Sequence, residues 1–139
     1  MLAGIAFDNS LLHSTHALEH PLSAMRPEVI HGQGLALLLP AVVREIYHIK
    51  GAVLADILSP IVPGLTGKES EGDEAASGIR KWLTDTGVPS GLKTIGFSDS
   101  DVPALTNLVL TTPSLGLLLS LTPVKADERT IERMYRMSI

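Results

Sequence analysis

An all-α fold, a single helical bundle, follows from three features of this 139-residue sequence. Apolar residues make up 45% of it and aromatic residues only 4%, so its core is aliphatic, a mixture that suits helix packed on helix. Apolar positions recur at helical spacing through most of the chain. No segment sustains the period-two alternation of a half-buried strand, and there is no internal repeat or low-complexity tract. The length corresponds to one domain, residues 1–139, large enough to bury a core without disulfides.

Each element has its own signal. Over residues 1–24, Leu2, Ile5, Ala6, Leu11, Leu12 and Leu18 spread around much of a helix circumference, so a helix there expects cover on most sides. It begins at Met1 with no capping residue or polar lead-in, which leads us to expect a longer parent chain. Pro21 lacks an amide hydrogen and crowds the carbonyl four residues back, so a bend or an end is expected there. A loop at Arg26, Pro27 and Glu28 precedes His31 and Gly32, which open a second helix over about 33–48. Its Leu35, Leu37, Leu38, Leu39, Val42, Val43 and Ile46 are apolar nearly all round, which puts it in the middle of the bundle, and Pro40 predicts a kink.

A shorter helix over 52–58 follows, then a loop marked by Pro60, Pro63, Gly64 and Gly67. The charged run 68–74 reads as a solvated helix entry, acidic where the helix dipole favours it. Residues 74–86 form an amphipathic helix with Ala75, Ile79, Trp82 and Leu83 inward, stopped by Gly87 and Pro89. Residues 98–101 cap a helix over about 102–110, with Pro103 in its first turn. The last helix, 127–137, carries Ile131, Met134 and Tyr135 on one stripe. The uncharged stretch 102–124 holds three prolines, six serines or threonines and Gly116, so it reads as buried helix and turn rather than as a membrane span.

Composition excludes several functions. The net charge is −4, with no basic cluster beyond Arg80-Lys81 and scattered C-terminal arginines, so the chain lacks the electrostatic footprint of a nucleic-acid binder. Without cysteine, any transition metal must be held by His, Asp or Glu, which rules out zinc-finger and iron-sulfur chemistry. The apolar segment 1–7 has no positive flank and runs into Asp8 and Asn9; it reads poorly as a signal peptide, and a cytoplasmic location is expected.

The histidines carry the chemistry. Three of the five, His16, His20 and His31, fall within sixteen residues. On a helix, His16 and His20 project from one face a turn apart, and His31 returns after a short loop where the next helix begins. Three clustered imidazoles are costly to bury without partners, so the set points to a metal or to catalysis. His13 and His48, each alone, read as packing residues, His48 complementing a helix end. Glu19 stands before the second histidine of His-Ala-Leu-Glu-His, not after the first as in the zinc-protease motif His-Glu-x-x-His; it reads as an exposed carboxylate or one paired with a ligand, not as a hydrolytic base. Catalytic metals take three or four protein ligands, often including a carboxylate, so the histidines by themselves make an incomplete site.

The blocks Leu2-Ala-Gly-Ile-Ala-Phe-Asp-Asn9, His16-Ala-Leu-Glu-His20-Pro21-Leu22, His31-Gly32 and Leu37-Leu-Leu-Pro40 resemble, in order and spacing, those of the iron-dependent, or group III, alcohol dehydrogenases. Gly87-Val-Pro89, Leu92, Gly96-Phe97, Asp101-Val102 and Thr130-Ile131 to Tyr135 extend the resemblance over essentially the whole chain. It implies a helical domain that follows a nucleotide-binding α/β domain, with a divalent ion, usually Fe2+ and sometimes Zn2+, in the cleft between them. It further implies that His16 and His31 supply two of four ligands, the other two being an aspartate and a histidine upstream. By the same resemblance His20 lies near the nicotinamide and substrate as a candidate proton relay, and the complete enzyme uses NAD or NADP on a small alcohol or aldehyde.

The departures from that pattern are specific. The chain has no glycine-rich dinucleotide turn and no Asp-x-x-x-His pair; Asp8 is out of that register. His13 stands where the family more often has glycine, and the loop between His20 and His31 is about one residue longer than in some relatives, a tolerable change for a surface connection. The expectation is therefore the C-terminal metal-binding domain of such an oxidoreductase, inactive alone and lacking its nucleotide-binding half. The rival expectations are a non-enzymatic helical module that self-associates into a homo-oligomer, and a metal hydrolase using Glu19 or Glu28 as base.

Overall fold

The computed structural model describes residues 12–139. They form six α-helices: α1, Ser14–Met25; α2, His31–Leu58; α3, Gly72–Asp85; α4, Val102–Thr111; α5, Leu115–Ser120; and α6, Glu128–Ser138. Short 3-10 turns at Glu69–Glu71, Leu92–Ile95 and Asp99–Asp101 link them, and no strand occurs among the described residues. The fold is all-α, as the aliphatic composition predicts. No helix among the described residues is long and apolar enough to cross a membrane.

α2 is the spine. Its 28 residues make a helix about 42 Å long at 1.5 Å per residue. Leu37, Leu38, Ala41 and Val42 face a core shared with Leu18 and Leu22 of α1, Val102, Leu105 and Val109 of α4, and Ile131, Met134 and Tyr135 of α6. Farther along, Val43 and Tyr47 enter a second core with Leu58, Val62 and Ala75, Ile79 and Leu83 of α3. Each fully buried leucine here contributes roughly 1.5–3 kcal/mol. The central position read from α2's all-round apolar pattern is therefore correct.

The two predicted helices over 33–48 and 52–58 run together in α2 across a kink, which falls in the gap the sequence pattern leaves between them rather than at Pro40. Helical dihedrals persist through Pro40; the departure inside α2 is Lys50, at φ −117° and ψ 16°. The cause lies next door. A Cβ on Gly51 would stand 2.5 Å from the carbonyl oxygen of Gly67, and one on Gly67 would stand 2.7 Å from the Ala52 Cα. Loop backbone presses directly on helix backbone, and Gly67, at φ +85°, turns the loop into that contact.

Other boundaries also move. The predicted helix 1–24 lies partly outside the described residues; within them it starts only at Ser14, because His13 is extended at φ −130° and ψ −151°. The apolar pattern runs on through Leu12, but the hydroxyl residues Ser14 and Thr15 favour a helix start over an interior. Pro21 neither ends nor interrupts α1, which continues to Met25 with Pro21 buried against the core. Beyond it, Arg26 donates to the Gly96 carbonyl at 2.5 Å and stacks its guanidinium 4.9 Å from the Phe97 ring, tying the end of α1 to the 92–97 turn.

Trp82, expected inward, is 41% exposed, since Ala75, Ala76, Ile79 and Leu83 already fill the inner stripe of α3; it edges a shallow cleft with Ile61, Val62 and Pro63. The charged entry to α3 is more organised than a solvated run. Glu71 accepts hydrogen bonds from the Thr66 hydroxyl at 2.5 Å, from the Thr66, Gly67 and Lys68 amides at 2.9, 2.8 and 3.2 Å, and from the Tyr47 hydroxyl at 3.1 Å. The Ser98–Asp101 cap before α4 forms as predicted, and Asp127, expected as the first residue of the last helix, caps α6 instead by accepting from the Thr130 amide. α5 is a separate short helix that the sequence pattern merged into helix and turn.

Candidate functional site

α1, the 26–30 loop and the start of α2 gather the three clustered histidines. His16 and His20 stand one turn apart on α1, and His31 is the first residue of α2. The ring of His31 lies 5.5 Å from that of His16 and 6.1 Å from that of His20, centroid to centroid. His16 is half-buried, whereas His20 and His31 open to solvent. The i, i+4 spacing and the returning helix start thus bring together the residues the sequence singles out.

The cluster's electrostatics favour neutral imidazole at His16. Burial lowers its pKa, and the neighbouring rings of His31 and His20 lower it further, against a smaller opposing pull from Glu19. A neutral imidazole carries the lone pair that a metal requires. His13 is also depressed by burial; it contacts the Ser14 hydroxyl at 3.2 Å and borders the cleft beside His16. That cleft, about 320 Å3, is walled chiefly by Leu12, Leu35, Ala36 and Leu39. His48 lies elsewhere, on a polar cleft with Arg44, Glu45 and Arg133.

Glu19 is fully buried rather than exposed. One carboxylate oxygen accepts from the Ser23 hydroxyl at 2.6 Å and the other pairs with His31 Nδ1. Buried between helices and already engaged, it is poorly placed to activate a water, which argues against the hydrolase rival's use of it. On the inner side of α1, the buried Tyr135 hydroxyl donates to the Leu18 carbonyl at 2.6 Å. Burial raises the pKa of Tyr135 well above its ordinary value, with the Glu19 charge adding to the shift.

His16 and His31 fit two positions of a metal site. Their ring spacing is compatible with two bonds of about 2.1 Å to one ion, and Nδ1 of His31 is taken up by a carboxylate in the way that commonly orients a ligating imidazole. Among the described residues no group of three or more His, Asp or Glu side chains is arranged to hold a metal ion. The supports missed in the sequence are Ser23, Gly34 and Tyr135. Two of them left a signal: Ser23 stands four residues after Glu19, and Gly34 is an interior helix glycine, which costs up to about 1 kcal/mol relative to alanine and so marks a close approach.

Residues 1–139 match the Fe-containing alcohol dehydrogenase family, C-terminal. The chain is 52% identical over 137 residues to a long-chain primary alcohol dehydrogenase of Thermoanaerobacter ethanolicus, covering 99% of this chain and 34% of that protein. It is 29% identical to the 1,3-propanediol dehydrogenase of Klebsiella pneumoniae, over 99% of this chain and 35% of that one. Among solved structures, a 1,3-propanediol oxidoreductase superposes with a TM-score of 0.82 at 28% identity, over 99% of this chain and 35% of the other. The chain spans about a third of the length of these relatives. It belongs to the iron-containing alcohol dehydrogenase family and corresponds to its C-terminal helical domain.

Proposed function

We propose that this chain is one wall of the active-site cleft of an NAD- or NADP-dependent alcohol dehydrogenase, with His16 and His31 holding a divalent ion and His20 moving a proton. The convergence of the His16 and His31 rings at the mouth of α1 and α2 carries the reading. Two imidazoles leave positions for ligands from the nucleotide-binding domain, and Fe2+, with Zn2+ as the other fit, suits a set of imidazole and carboxylate donors. When bound, the ion supplies Lewis acidity that lowers the pKa of the alcohol hydroxyl and favours hydride release to the nicotinamide.

The chain's own residues have distinct tasks. His16 and His31 would hold the ion. His20, solvent-open and 6.1 Å from the His31 ring, would take the hydroxyl proton and pass it to water. The Leu12, Leu35, Ala36 and Leu39 walls shelter the site and suit the aliphatic part of a primary alcohol or aldehyde. The absence of cysteine accords with a cytoplasmic setting.

Complementation tests this. The chain is combined with the nucleotide-binding domain of the Thermoanaerobacter relative, and alcohol-dependent NAD(P)H formation is followed by absorbance. Activity is expected only for the pair, lost on chelation and lost in H16A and H31A, with H20A slowed but still metal-loaded. Undiminished activity in H16A or H31A contradicts the assignment. A second reading, self-association without catalysis, draws on Ile49, Val53 and Ile57, an exposed stripe along α2 at 49%, 57% and 65%. A monomer by sedimentation that binds no apolar dye counts against it.

A further inference from the structure

Glu19 is a buried carboxylate in the apolar seam between α1 and α2, flanked in sequence by the fully buried Leu18 and close to Leu22. Burying such a charge costs several kcal/mol unless it is well paired. Among the described residues its hydrogen-bond partners are Ser23 and His31, and neither lysine nor arginine pairs with it. The seam is shaped around it. A Cβ at Gly34 would stand 2.9 Å from Glu19 Cγ and 3.0 Å from Oε1, so α2 gives up a side chain to make room. An apolar residue in its place would pack without these accommodations.

We propose that Glu19, held by Ser23 and admitted by Gly34, is a positioning residue that keeps the proton of neutral His31 on Nδ1 and turns Nε2 toward the metal. The inference rests on the metal-holding reading of His16 and His31. Its chemistry is simple: an ionised carboxylate only accepts hydrogen bonds, so the neutral imidazole facing it must donate from Nδ1, which leaves the lone pair on Nε2. Ser23 satisfies the other carboxylate oxygen and sets the rotamer from which the first reaches His31. A glutamine at position 19 has an amide that can donate instead, which permits the opposite tautomer.

The test uses the full chain, wild type, E19Q and S23A, with folding verified by circular dichroism. Nitrogen-15 spectra of metal-free protein at a pH where the His31 ring is neutral read which nitrogen carries the proton. Zn2+ titration calorimetry reads affinity. Wild type is expected to show the proton on Nδ1. E19Q is expected to lose that preference and to bind Zn2+ about 10–100-fold more weakly, with S23A between. A folded E19Q with wild-type tautomer and affinity overturns the proposal. If wild type binds no Zn2+ even with the nucleotide-binding domain present, the metal reading fails; the His31 tautomer in E19Q still shows separately whether Glu19 directs that proton.

Discussion

At the scale of single residues, polar side chains at helix starts and seams organise the bundle more than their sequence positions suggest. Glu71 shows this most clearly: the Thr66 hydroxyl, joined by the Thr66 and Gly67 amides and the Tyr47 hydroxyl, holds its carboxyl at about 2, against an ordinary 4.5. The folded state therefore prefers the ionised form. The stability this supplies is complete above pH 4.5 and is lost as pH falls from there through about 2. In melting experiments, E71Q is expected to melt below wild type at neutral pH, with the gap closing toward pH 2; a gap independent of pH would mean that the charge is irrelevant. Tyr135 is a second case. Y135F removes a buried hydrogen bond to Leu18 and is expected to cost about 1 kcal/mol in urea unfolding, loosening α6 from the histidine-bearing helix.

At the scale of elements, periodicity revealed most of what each helix buries but not which contacts between elements bend or stop it. The inner stripes of α3 and α6 and the central place of α2 were legible because apolar spacing maps directly onto a helix face. The break near Lys50 showed as the gap between the predicted helices 33–48 and 52–58, but its cause did not, because that cause is a loop more than fifteen residues away that presses Gly67 against Gly51. Neither Pro21 nor Pro40 ends its helix: each removes one hydrogen bond, but each is itself buried against the core that holds the helix. G51A puts a methyl into the Gly67 carbonyl and is expected to destabilise by about 1–3 kcal/mol, whereas G32A, whose Cβ meets nothing within 4 Å, should be nearly neutral. Equal unfolding midpoints for the two variants would contradict the backbone contact. At the site, the histidines were readable from spacing, while Ser23, Gly34 and Tyr135 act across helix seams that one-dimensional spacing does not display.

At the scale of the whole molecule, α1 and α2 present a rim with His16, His20 and His31 beside an apolar cleft, and the chain spans about a third of its relatives. A two-imidazole rim binds weakly by itself and gains affinity when further ligands close around the ion. Binding in turn stabilises the fold, by about 2.7 kcal/mol at a hundredfold excess over Kd. The most direct measurement is Zn2+ calorimetry on the chain joined with a nucleotide-binding domain, for wild type and for the H16A/H31A double variant. One saturable site is expected in the wild type, and its loss in the double variant. Zn2+ affinity that survives replacement of both histidines would contradict that expectation.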